Sequence, residues 1–268
     1  MRNKVYVTVE NLIKEVEKTQ HENVEMVAQK LADSIKNGGI LQAFGSGHSY
    51  SSALELTHRA GGFIPSKNIK EPALGAYESV EGVGTVFMKK VDVRNNDIVF
   101  IISNSGRNPL SIEVALKAKE KGATTVAVTS LEVSKKLKSR HSGGQNLYEV
   151  CDYILDNRCP EGDAAIELEG MDGVKICGMS TIITGILLEA VVCRAVEIML
   201  EKGIVPPIYK SQNIDGGREY NEEIEKQYID RLNRIWQQNL IKNILGLKNL
   251  YKYREIYYYK CRSESLIC

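Results

Sequence analysis

Cysteine, histidine and tryptophan are all scarce in this chain. Among its 268 residues are six cysteines, four histidines and one tryptophan. Cys151, Cys159, Cys177, Cys193, Cys261 and Cys268 form no C-x-x-C pair, and His21, His48, His58 and His141 are scattered without metal-ligand spacing. That pattern predicts no metal site and reduced, structural thiols, since a chain of this size needs no disulfide framework. An excess of charge is also missing. Thirty-five Lys and Arg stand against 34 Asp and Glu, a formal charge of +1, so no global field exists to hold nucleic acid or an anionic membrane, and any anion must bind locally. Long apolar runs are absent too. The longest, Ile176 to Leu188, is 13 residues between Lys175 and Glu189, short of the ~20 that a spanning helix needs. The N-terminus offers basic residues but only a short alternating stretch before Glu10, not an apolar targeting core. The expectation is a cytoplasmic protein with no nucleic-acid or membrane partner.

What remains is an ordinary globular composition, 43% hydrophobic and 26% charged, in a chain long enough for between one and two domains. Leu12, Ile13, Val16, Val24, Val27, Leu31 and Ile35 recur at helical steps, predicting an N-terminal helical arm, one helix or a pair, over 1–36 that ends at Asn37-Gly38-Gly39. Ile40 to Phe44 then reads as a buried strand, Gly45-Ser-Gly-His-Ser-Tyr50 as a loop, and the residues through Leu54 and Leu56 as a helix. The grammar repeats. Asp97 to Ser103 is a strand, Asn104-Ser-Gly-Arg-Asn108 a loop, and Pro109 opens a helix that closes at Gly122. Further strands at Thr124 to Thr129 and around Val150 to Leu155 complete a parallel α/β pattern, in which ligands bind beyond the carboxyl ends of the strands.

Residues 157–175, rich in glycine and acidic side chains, are expected to form one long loop. Met179 to Leu200 reads as a helix buried in the core or against a second subunit, with Arg194 and Glu189 paired across an interface, because lone buried charges are costly. The domain spans 37–205. From Pro206-Pro207 onward the character changes, and eight of the 13 tyrosines fall at or after Tyr209, so 206–268 reads as a C-terminal extension without an assigned function.

The two strand-to-helix loops carry the chemistry. In the first, glycines allow close backbone approach to an anion while Ser46 and Ser49 add hydroxyl donors. The third glycine of G-x-G-x-x-G is replaced by Tyr50, which argues against a dinucleotide, and no cofactor is expected. In the second, Ser103, Ser105, Gly106 and Arg107 concentrate two hydroxyls and a guanidinium, so that a phosphorylated ligand is expected on this sheet edge. Ser103 and Ser105 could equally cap the helix from Pro109. His48 lies inside the first loop with an imidazole suited to proton transfer, and His58, in the following helix, reads as a packing residue.

With these loops the chain, over roughly residues 35 to 200, resembles the sugar isomerase (SIS) domain family. The resemblance implies a flavodoxin-like three-layer parallel sheet, phosphosugar binding and a homodimer or higher homo-oligomer. It assigns phosphate contacts to Ser49, Ser103, Asn104, Ser105 and Asn108, the last standing where many members have threonine. Ser105-Gly-Arg-Asn-Pro109 and Val80-Glu-Gly82 are similar to segments of the N-acetylmuramate-6-phosphate etherases, which places an acid/base glutamate at Glu81, with Glu78 positioned to share its helix face. Glu55-Leu-Thr-His-Arg59 is similar to the catalytic stretch of phosphoheptose isomerases and assigns Glu55, although the late helix lacks the histidine those enzymes pair with it. Ser211-Gln-Asn-Ile-Asp-Gly-Gly217 is similar to segments of a phosphosugar isomerase/binding branch of SIS proteins with no settled reaction. The resemblance therefore implies an aldose/ketose or amino-sugar phosphate isomerase working by cofactor-free acid/base chemistry. An etherase-like lyase and a non-catalytic sugar-phosphate sensor remain alternatives.

Overall fold

The computed structural model describes residues 2–71 and 73–232. The arm is a single helix, α1 (Lys4–Lys36), capped by Asn3, whose side chain accepts from the Val5 N–H at 2.8 Å. Neither proline nor glycine interrupts those 33 residues, so nothing splits the helix into a pair. It ends where Gly38 takes φ +76°, a conformation open to glycine.

Five strands follow the repeated grammar: β1 (Leu41–Gly45), β2 (Ser66–Ile69), β3 (Ile98–Ile102), β4 (Thr124–Thr129) and β5 (Tyr153–Asp156). They form one parallel sheet in the order β2-β1-β3-β4-β5, the flavodoxin-like order of a doubly wound fold. Every residue of β1 and β3 is buried, as expected of strands covered on both faces. Between them run α2 (Ser49–Glu55), α3 (Val83–Phe87), α4 (Pro109–Glu120), α5 (Leu131–Lys136) and α6 (Leu147–Val150). Beyond the sheet come the short antiparallel strands β6 (Ala164–Glu167) and β7 (Lys175–Gly178), and then α7 (Ser180–Glu201), α8 (Gly217–Glu225) and α9 (Ile229–Leu232).

The core lies on both sides of the sheet. Leu41, Ala43, Phe100, Val126 and Val128 pack against α1, α2 and α7, while Phe44, Val99, Ile101 and Ala127 pack against α3, α4 and α6. Phe44, Phe63 and Phe100 are fully buried, each contributing up to about 3 kcal/mol from burial. At the amino edge of the sheet, Asp97 accepts from the Ile40 and Arg94 N–H groups, from Gln42 Nε2 and from the two terminal guanidinium nitrogens of Arg231, at 2.6–3.1 Å. Arg231, in α9, thus fastens the described part of the C-terminal extension to the sheet, and Ile64, Tyr209 and Leu232 close a small apolar cluster beneath it. The Lys- and Tyr-rich residues 233–268, with Cys261 and Cys268, lie outside the described residues.

Three expectations are corrected. The segment 157–175 is not one long loop, since β6 and the start of β7 build a hairpin there. Glu78 and Glu81 share no helix face, because 73–79 is a run of turns and α3 begins only at Val83. Arg194 does not pair with Glu189. It binds Glu25 of α1 at 2.6 Å together with Glu197 and Glu201, whereas Glu189 meets Arg59 at 3.3 Å. Within the chain each charge is thus neutralised by a partner other than the one expected.

Candidate functional site

In a doubly wound sheet the ligand crevice opens where the strand order reverses, here between β1 and β3. A cavity of about 620 Å³ lies there, lined by Ser46, Gly47, His48 and Ser49 from the loop after β1 and by Ser103, Asn104, Ser105, Arg107 and Asn108 from the loop after β3. All six residues assigned to substrate binding, and His48, therefore face one space. Gly45 is required for the first loop to turn back, since a Cβ there would come within 2.3 Å of the Ser49 carbonyl oxygen and 2.8 Å of the Tyr50 nitrogen. Neither Ser103 nor Ser105 caps α4. Its N-cap is Asn108, and no side chain bonds to its first turn, which leaves those hydroxyls available to a ligand. The Ser46 hydroxyl and Arg107 Nε are buried without a hydrogen-bond partner, a costly state that a polar ligand would relieve.

Asn108 is the centre of a side-chain chain. Its Oδ1 accepts from Arg140 Nη1 at 3.0 Å and its Nδ2 donates to Glu78 Oε1 at 3.0 Å. Asn104 is held through Oδ1 by Asn157 Nδ2 at 3.0 Å, and Asn157 also donates to Thr184 of α7 at 3.0 Å. Glu161 and Asp163, from the turn before β6, also line the cavity. Asp163 accepts from the Met179 and Ser180 N–H groups at 3.0 and 2.6 Å and so caps α7. The cavity thus combines two guanidiniums, three carboxylates, one imidazole and a cluster of hydroxyls.

One wall depends on a residue that no local pattern announces. Glu71 is 3% exposed, and its carboxylate accepts from the Ala73 N–H at 2.6 Å and the Gly75 N–H at 2.7 Å. That grip lays Gly75 over Gly47. Gly75 has φ +97°, and a Cβ there would sit 2.9 Å from the Gly47 nitrogen, so only glycine permits this approach.

Two assigned carboxylates fall outside the cavity lining. Glu55 ends α2 and pairs with Arg59, on the face shared with α7. Glu81 binds the segment between α5 and α6, accepting from the Ser142 hydroxyl and, at 2.9 Å, from the Ser142 N–H. The Ser142 hydroxyl first, and its N–H second, hold the Glu81 carboxyl below the ordinary carboxylate range. His58, at φ 61°, stacks on Tyr209 at 6.4 Å, as a packing residue would.

Among the described residues, Glu81, Glu113 and His141 bring possible ligand atoms within 4.8 Å of one another. The donor set is already committed. Glu113 accepts from the Gly82 and Thr85 N–H groups at 2.5 and 2.8 Å, and His141 Nδ1 accepts from the Gly143 N–H at 3.0 Å. An accepting Nδ1 puts the ring proton on Nε2, the atom facing Glu81 and Glu113 at 3.7 and 3.9 Å, so the lone pair that a metal would need is not presented.

The sheet carries two serine loops at its switch point, and residues 6–130, which include both loops, match the family model of the SIS domain. The chain belongs to the UPF0309 family. It is 54% identical to the UPF0309 protein lmo0025 of Listeria monocytogenes over 221 residues, covering 82% of this chain and 94% of that protein. It is 42% identical to the UPF0309 protein GK1441 of Geobacillus kaustophilus, covering 80% and 88%. Among solved structures, phosphoheptose isomerase GmhA from Neisseria gonorrhoeae aligns at TM-score 0.49 and 20% identity, covering 72% of this chain and 95% of that one.

Proposed function

We propose that the cavity binds a sugar phosphate and that the protein is a cofactor-free aldose/ketose or amino-sugar phosphate isomerase. The observation that carries this reading is the convergence of two serine-bearing loops on one cavity with Arg107 and Arg140. Ser103 and Ser105 with the amino end of α4 suit a phosphate, which favours hydroxyl and N–H donors at a helix start. The carboxylates of Glu78, Glu161 and Asp163 in the lining suit sugar hydroxyls or an amino group. His48, in the first loop, is placed to move a proton onto or off a carbonyl oxygen. An etherase-type elimination shares the first step, abstraction of a proton beside a carbonyl.

The active assembly in this reading is a cytoplasmic homodimer formed through the face where α2 meets α7. Leu54, Ile182 and Ile186 are exposed there at 40–45%, beside Glu55, an apolar strip that a second copy would cover. Cys151, Cys159, Cys177 and Cys193 are all unpaired, which suits a reducing compartment.

A thermal-shift titration with hexose, heptose and N-acetylamino-sugar 6-phosphates tests the reading, with inorganic phosphate, unphosphorylated sugars and Ser105→Ala as controls. Stabilisation follows RT ln(1 + [L]/Kd). The expected result is a rise in Tm with phosphosugars only, diminished in the variant. Equal shifts in the variant and the wild type, or none in either, would contradict the assignment.

A further inference from the structure

We propose that Glu78, rather than Glu81, is the catalytic carboxylate of this cavity, removing the proton from the carbon beside the sugar's carbonyl. The inference rests on the sugar-phosphate reading above and adds to it the identity of the base.

A general base must reach the reacting carbon and keep a free lone pair to receive the proton. Glu78 lines the cavity and is partly buried. Its backbone is fixed from both sides, its N–H donating to the Gly75 carbonyl and its carbonyl accepting from the Leu110 N–H at the start of α4, both at 3.2 Å. Its side chain is aimed by the chain that runs from Arg140 through Asn108 to Oε1. Oε2 is directed to the other loop: a Cβ on Gly47 would lie 3.9 Å from it. Glu78 therefore spans the space between the two serine loops, one oxygen held and the other facing the cavity. Glu81 is arranged oppositely. Both its oxygens are engaged by Ser142, it lies outside the lining, and its carboxyl is held in the acidic direction, which weakens it as a base. Its role is to fasten the segment that delivers Arg140 to Asn108.

The step balances without a co-reactant. The C–H bond beside the carbonyl breaks as its proton passes to Glu78 Oε2, its electron pair forms the C=C bond, and the carbonyl π pair moves to oxygen, which takes a proton from His48 imidazolium. The enediol then reverses the sequence: His48 removes the proton from the neighbouring hydroxyl, and Glu78 returns its proton to the first carbonyl carbon.

The test is deuterium incorporation from D2O into fructose 6-phosphate, sedoheptulose 7-phosphate and N-acetylglucosamine 6-phosphate, read by NMR for wild type, Glu78→Gln and Glu81→Gln, with the thermal shift measured in parallel. Glutamine at 78 keeps an oxygen to accept from Asn108, so the fold and the phosphate-induced shift should persist while exchange falls at least ~100-fold, the order expected for loss of a general base. Glu78→Asp, which retains a withdrawn carboxylate, should exchange at an intermediate rate and guards against a glutamine variant that fails to fold. Glu81→Gln should lose less than ~10-fold. Exchange that survives in Glu78→Gln, or falls as far in Glu81→Gln, overturns the proposal. Wild-type binding without exchange overturns it while leaving the binding site standing, whereas absence of wild-type binding overturns the sugar-phosphate reading itself.

Discussion

Replacing Glu71 by glutamine tests how a buried carboxylate shapes the cavity from behind. Glu71 Oε1 and Oε2 each accept one backbone N–H, from Ala73 and Gly75. Glutamine keeps one acceptor and turns an amide nitrogen toward the other N–H, leaving a buried donor unsatisfied at about 1–3 kcal/mol. The surviving bond also loses its charge assistance, about 1 kcal/mol more. Against this, removing a buried negative charge recovers part of its desolvation cost, so the net destabilisation should be about 2 kcal/mol. For a chain of this size that lowers Tm by about 4–8 °C, read by calorimetry. Because the same bonds lay Gly75 against Gly47, the thermal shift given by a bound hexose 6-phosphate should shrink as well. A variant with unchanged Tm and unchanged ligand response would refute the argument that Glu71 sets the first loop.

Arg231→Met leaves Asp97, which is fully buried, with three of its donors but without the guanidinium. Because loss of one partner of a buried pair costs about 3–5 kcal/mol, the remaining donors put the expected destabilisation near 3 kcal/mol, measured by urea unfolding. Cys159 is 2% exposed, and burial, with the nearby Asp163 and Asp156 charges adding to it, pushes its thiol up to about 12. Iodoacetamide at pH 8 should therefore leave Cys159 unmodified while the exposed Cys177 reacts, as peptide mass spectrometry would resolve. The Glu81 carboxyl is held below its unfolded value near 4.5, chiefly by the Ser142 hydroxyl. A depressed folded pKa contributes stability above the unfolded pKa and loses it as pH falls through the folded one. The Tm gap between wild type and Ser142→Ala should thus be constant above about pH 5 and narrow in acid, and a gap that widens in acid would contradict the bond.

The parts of this molecule that the sequence made legible are those in which local pattern and tertiary role coincide. The runs at Ile98 to Ile102 and Thr124 to Thr129 are continuously apolar or β-branched, and Leu41 to Phe44 is so but for Gln42, because they lie in a doubly covered sheet, and the glycine and serine loops follow them by necessity of the turn. β2 is different. Ser66-Lys-Asn-Ile69 carries one apolar residue and forms an edge strand, where pairing with β1 decides the conformation. The β6–β7 hairpin consists of two four-residue strands separated by glycines, too short for periodicity to register. Within the site, Ser46, His48, Ser49, Ser103, Asn104, Ser105 and Asn108 were visible for the same reason as the strands. Arg140, Glu161 and Asp163 were not, since each reaches the cavity from a loop whose approach is set by packing elsewhere, and neither was Glu71, which acts from behind the lining through the Ala73 and Gly75 N–H groups. Glu55 and Glu81 stood out by resemblance of short motifs, and the folded chain places both beside the cavity's lining rather than in it.

The central claim, that the two serine loops hold a sugar's phosphate, is tested most directly by ³¹P NMR of glucose 6-phosphate titrated with the protein. The account predicts a shifted and broadened phosphorus resonance with wild type, reverting toward the free value when Ser103 and Ser105 are both replaced by alanine. A resonance that stays at its free position and width at excess wild-type protein, through a series of hexose, heptose and amino-sugar phosphates, would contradict it.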